Sequence, residues 1–126
     1  MESGTIHMVD VTQKKETRRQ AVAKGKIQMK METLELIRKG KLEKGDVLAV
    51  AKTAGIMAAK ETHRLIPLCH PLQLTYIAVE FHLHKNYDSV EITASAKGVG
   101  KTGFEIEALV AVSISALTIY DMCKAV

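Results

Sequence analysis

KTGFEIEALVAVSISALTIYDMCK, residues 101–124, is the stretch whose reading decides the fold. Thr102 and Glu105 have the S/T-x-x-E spacing of a capping box, so a helix is expected to start there. A mostly apolar run follows for about four to five turns, without Pro or interior Gly. Its small residues, Ala108, Ala111, Ser113, Ser115 and Ala116, let a neighbouring helix or sheet approach closely. Apolarity all round predicts a buried helix. Polar ends and several Ser/Thr argue against a membrane span. Glu105, Glu107, Asp121 and Lys124 interrupt the run, and charges on a buried helix need partners or a purpose.

Working outward, Ile77, Val79, Phe81 and Leu83 alternate with Ala78, Glu80 and His82, which predicts a half-buried strand over Leu74–His84. After a turn at Asn86–Ser89, Val90, Ile92 and Ala94 alternate with Glu91, Thr93 and Ser95 as its antiparallel partner. Gly98 and Gly100 end that strand. Upstream, Pro67 and Pro71 bracket Leu68-Cys69-His70 and stiffen the loop Leu65–Leu72. Before it, Asp46 is the expected N-cap of a helix whose apolar side carries Val47, Val50, Ala51, Ala54, Ala58 and Ala59. Gly55 marks tight packing on that helix. METLELIRKG is an amphipathic helix closed by Gly40, and Thr17–Gln28 reads as a basic strand. Ile6–Val11 reads as a short strand or an extended arm, and Met1–Thr5 as a loose end. The order is roughly β-β-α-α-β-β-α, which predicts an α+β sandwich with helices covering an antiparallel sheet.

The 126 residues suit one domain, and 47% hydrophobic with 25% charged residues is ordinary globular composition. A net charge of +4, without a basic run interleaved with aromatics, does not argue for nucleic acid. It suits an anionic small substrate. Neither a signal peptide nor a transmembrane run is read, so the expected compartment is cytoplasmic. Cys69 and Cys123 show neither a disulfide framework nor metal-type pairing.

Local chemistry alone leaves several readings open. Gly100-Lys101-Thr102 sits between a strand and a helix, but a P-loop needs glycine where Ser95 stands. An anion beside Lys101 and a plain glycine-rich turn both fit. Glu105 and Glu107 point about 200° apart on a helix and are not an acid/base dyad. Glu105 is most simply a capping residue, whereas Glu107 on a buried face suggests a polar site. Asp121 and Lys124 share a face at i,i+3, and by spacing alone are a surface ion pair. Cys69 and His70 are poorly spaced for one metal, although the proline bracket preorganises His70. His63, His82 and His84 read as surface or interface residues.

TGFEIEAL and AVSISALTIYDMCKAV, with His7-Met-Val-Asp-Val11, Lys44-Gly-Asp-Val47 and LIPLCHPL at 65–72, resemble the molybdenum cofactor biosynthesis protein C family over nearly the whole chain. These are the cyclic pyranopterin monophosphate synthases. The family runs on into a Gly/Lys-rich tail, whereas this sequence stops at Val126. The resemblance implies a ferredoxin-like α+β fold, residues 1–126 as a single catalytic domain, and a homohexamer built as a trimer of dimers with sites at the dimer interface. It implies a lyase acting on a nucleotide-derived substrate. Asp121, Lys124 and Lys44 match catalytic positions. Leu68, Cys69, His70, Ile106, Glu107, Arg19 and Lys101 are expected at the substrate. No cofactor and no metal ligand set are expected, and whether Mg²⁺ arrives with the substrate's phosphates stays open. Nucleic acid and membrane are not expected partners. The alternative is a non-catalytic oligomeric ligand-binding module, which leaves the acid and lysine in the last helix unexplained.

Overall fold

Alternation in three segments builds one sheet, and two apolar helices cover one of its faces. The computed structural model describes residues 4–84 and 86–126. Most of the expected loose end, residues 1–3, falls outside them. The order is β1 (Thr17–Gln28), α1 (Met31–Lys39), α2 (Val47–Lys60), α3 (Thr62–Leu65), β2 (Gln73–Leu83), β3 (Ser89–Gly100) and α4 (Glu105–Cys123). The strands form an antiparallel sheet in the order β1-β3-β2. The fold is the expected α+β class. Residues 6–11, read as strand or arm, form an arm without sheet pairing, so the sheet has three strands.

The register follows side-chain parity. Ala23 pairs with Ala94 and Val79 with Ala94, so all three point to the helical layer. Val90, Ile92, Ala94 and Ala96 of β3 are buried beneath α4, while Glu91 and Lys97 face outward. α4 lies over β1 and β3, and α2 lies over β2 and packs along α4. Phe104, fully buried just ahead of α4, fills the end of this core, where truncation to alanine would cost about 3–5 kcal/mol.

The entry to α4 differs from expectation. The helix begins at Glu105 with Phe104 at the cap position, and no side chain caps it. Burial of the Phe104 ring sets the chain's entry, so Thr102 and Glu105 do not form the capping box their spacing suggests. The helix is also not buried all round. Ala108, Ala111, Ser115 and Ile119 face the core, while Leu109, Leu117 and Tyr120 are exposed. By length and composition alone α4 could cross a membrane, but half of its apolar window is buried within this fold.

The α2–α4 contact is close because its residues are small. The Ser115 hydroxyl donates to the Ala51 carbonyl at 3.1 Å, one turn from Gly55. A Cβ at Gly55 would lie 2.9 Å from the Ala111 carbonyl oxygen and would run into the Ser115 hydroxyl. This contact fixes how the loop before α2 meets the end of α4.

Candidate active site

The C-terminal end of α4 and the loop before α2 form one charged cluster. Gly45 takes φ 109°, which a side chain rarely adopts, and turns the chain between Lys44 and Asp46. Asp46 then caps α2 by accepting the Ala49 N–H at 3.1 Å. The turn leaves Lys44 facing Asp121. Its Nζ donates to Asp121 Oδ2 at 3.3 Å and to the Asp121 carbonyl at 3.2 Å. Lys124 Nζ stands 3.5 Å from Asp121 Oδ1. The hydrogen bond from Lys44, then its charge, then Lys124 hold the Asp121 carboxyl below the ordinary aspartate range. All three side chains are at least half exposed, so the network adds little stability and stays open to a ligand. Chemically, it is a carboxylate base flanked by two ammonium groups. A cavity of about 230 Å³ adjoins Lys124, lined also by Met29, Lys30 and Tyr120.

The other end of α4 gathers a second set of residues. Arg19 on β1 donates through Nε to the Gly100 carbonyl at 3.1 Å and through Nη2 to the Lys101 carbonyl at 3.3 Å. It therefore positions the turn that carries Lys101. The Lys101 Nζ donates to the Thr12 carbonyl at 3.3 Å. His70 Nε2 lies 2.5 Å from the Val9 carbonyl oxygen. His70, Lys101 and Thr102 share the lining of a cavity of about 450 Å³ with Val11 of the arm and with Glu16, just ahead of β1. Gly100-Lys101 follows an antiparallel strand, not the parallel one a P-loop uses.

Glu107 is buried at 3% exposure beside the Cys69 loop. Burial raises its carboxyl above the usual glutamate range. Its own backbone N–H and, less strongly, His63 oppose that rise, while Glu105 adds to it. Burial, then the Glu107 charge, raises the Cys69 thiol, which argues against a thiolate nucleophile there. Cys69 Sγ lies 3.9 Å from the Thr62 carbonyl. Leu68 is exposed on the same loop. Ile106 lines an open apolar groove of about 410 Å³ with Leu65, Ile66 and Leu109. Among the described residues no three His, Cys, Asp or Glu side chains are grouped to hold a metal ion.

The expected residues thus separate into two neighbourhoods. Lys44, Asp121 and Lys124 stand together at one end of α4. Arg19, Lys101, Leu68, Cys69, His70, Ile106 and Glu107 surround the other. Glu107 and Asp121 are fourteen residues apart on one helix, about 21 Å at 1.5 Å per residue. Within one chain they do not reach the same atoms of a small molecule. The contribution of the arm, through the Val9 and Thr12 carbonyls and Val11, was not readable from residue chemistry. A backbone acceptor leaves no mark in side-chain type, and HMVDV stood out only as a family string.

Comparison with known proteins places the chain in a family. The family model described as the MoaC family matches residues 8–126. The cyclic pyranopterin monophosphate synthase of Heliobacterium modesticaldum is 57% identical over 124 residues, covering 98% of this chain and 78% of its own. That of Roseiflexus sp. strain RS-1 is 57% identical over 125 residues, covering 99% and 79%. That of Thermoanaerobacter pseudethanolicus is 55% identical over 125 residues, again covering 99% and 79%.

Proposed function

The chain belongs to the MoaC family, and from that premise we infer that it is a lyase of molybdenum cofactor biosynthesis. It converts 3′,8-cyclo-7,8-dihydroguanosine 5′-triphosphate into cyclic pyranopterin monophosphate and releases diphosphate. The observation that carries this reading is the Lys44–Asp121–Lys124 cluster, drawn from two distant parts of the chain. Asp121, held ionised by two ammonium groups, accepts a proton as rings open and close. Lys44 and Lys124 offset negative charge that develops on the substrate. At the other end, Lys101 and His70 hold phosphate or ring oxygens, with Leu68, Cys69 and Ile106 forming walls. Arg19 supports this end by fixing the Lys101 turn. Glu107 places a buried carboxyl at the substrate, its affinity for a proton raised by burial. We place the reaction in the cytoplasm, on a single catalytic domain.

The separation along α4 leads to a second part of the proposal. One active site takes Glu107 from one protomer and Asp121 from its neighbour, within a homohexamer made as a trimer of dimers. The exposed apolar face of α4, with Leu109, Leu117 and Tyr120, and the groove beside Ile106 suit contact with a second copy. The test mixes two inactive variants, Glu107→Ala and Asp121→Asn, unfolded together and reassembled. In a mixed dimer one site carries both lesions and the other carries none. Random pairing at equal ratio then restores about a quarter of wild-type activity by symmetry. Persistent inactivity, with mixed assembly verified by mass spectrometry, excludes a shared site of this composition.

A further inference from the structure

His70 and Lys101 are both engaged by the protein's own backbone. A carbonyl oxygen only accepts hydrogen bonds, so the 2.5 Å contact with Val9 requires that His70 Nε2 carry the proton. That nitrogen has one hydrogen, and Val9 takes it. Lys101 has three, one of which goes to Thr12. Between these two carbonyls Asp10 shapes the arm. Its Oδ1 accepts from the Thr12 N–H at 2.9 Å and from the Thr12 hydroxyl at 2.6 Å. The Lys14 N–H closes the next turn on the Val11 carbonyl at 3.0 Å. Val11 and Glu16 then wall the same cavity as His70 and Lys101. We propose that residues 6–14 are a displaceable strap, and that an anionic substrate enters by replacing the Val9 carbonyl on His70.

Two independent features oppose strap and ligand at this place. The first is valence: a substrate oxygen that accepts from His70 Nε2 must remove Val9 from it. The second is charge. Thr12 holds the Asp10 carboxyl low, and Lys101 and His70 lower it further, so Asp10 is ionised beside both donors. An arriving phosphate is repelled by Asp10 while the strap is down. The strap's own anchorage is light, because it pairs with no strand and its bonds lie at the surface. The proposal rests on His70 being a substrate contact.

Two measurements test it. Asp10→Ala removes the turn that shapes the strap and the charge beside the donors. A competing strap predicts a KM lowered by about two- to fivefold, with kcat moved less. An unchanged or raised KM overturns the proposal while leaving the reaction itself standing. Hydrogen–deuterium exchange needs no turnover, so it stands even if the assigned reaction fails. Saturation of the wild-type protein with inorganic triphosphate should speed amide exchange across residues 6–14. Unchanged or slowed exchange overturns the strap.

Discussion

Replacing Gly55 by alanine inserts one methyl at the tightest point between α2 and α4. The new Cβ would stand 2.9 Å from the Ala111 carbonyl oxygen, and ordinary contact begins near 3.4 Å, so the helices must part by about half an ångström. Overpacking of this kind costs about 1–3 kcal/mol. The methyl also meets the Ser115 hydroxyl, which donates to Ala51 in a fully buried setting. Turning that hydroxyl away leaves the buried Ser115 hydroxyl without its partner, while the Ala51 carbonyl keeps only its helical bond, adding about 1–3 kcal/mol. Better helix propensity returns roughly 0.5–1 kcal/mol. A net loss of about 1–5.5 kcal/mol follows. For 126 residues the unfolding entropy is about 265 cal/mol/K, so Tm should fall by about 4–21 °C. The assay is thermal unfolding of Gly55→Ala alone and in a Ser115→Ala background, where the hydroxyl clash is gone. The double variant should be less destabilised than the sum of the singles. Activity should fall with stability, because α2 and α4 set the distance from Lys44 to Asp121. A Gly55→Ala protein as stable as wild type refutes the close-packing argument.

The charged groups make further predictions. Glu107 has a raised carboxyl, so the folded state binds its proton more tightly than the unfolded chain does, and stability falls as pH rises from about 4.5 through the folded value. Glu107→Gln should therefore be more stable than wild type at pH 7 and show little gain near pH 4, read from Tm against pH. Asp121 is lowered, so the acid limb of kcat should lie below the ordinary aspartate range, and Lys44→Ala should move it upward. Asp121→Asn and Lys124→Ala should each reduce turnover by at least about 10²-fold while leaving the fold intact. GTP itself should release no phosphate, since Ser95 breaks the P-loop pattern.

Local pattern made much of the fold legible. The β2–β3 hairpin follows from strict alternation around a short turn. Asp46 caps α2 as its position suggests, and Gly40 closes α1 in the left-handed region. The start of α4 was misread because Thr102 and Glu105 have the right spacing, whereas burial of Phe104 decides the entry. The all-round apolarity of α4 also misled, since one chain covers only one side of it. In the site, the Asp121–Lys124 pair was readable as i,i+3 neighbours. The meeting of Lys44 and Asp121 across 77 positions depends on α2–α4 packing and has no local signature. The positioning role of Arg19 was hidden because its partners are backbone carbonyls.

The most direct measurement of the functional claim is turnover of 3′,8-cyclo-7,8-dihydroguanosine 5′-triphosphate by the purified chain. Diphosphate is quantified, and the product is oxidised to a fluorescent pterin. The account predicts one diphosphate and one pterin per nucleotide consumed, with both signals lost together in Asp121→Asn. Tight binding of the nucleotide without either product would contradict it and leave a ligand-binding module in its place.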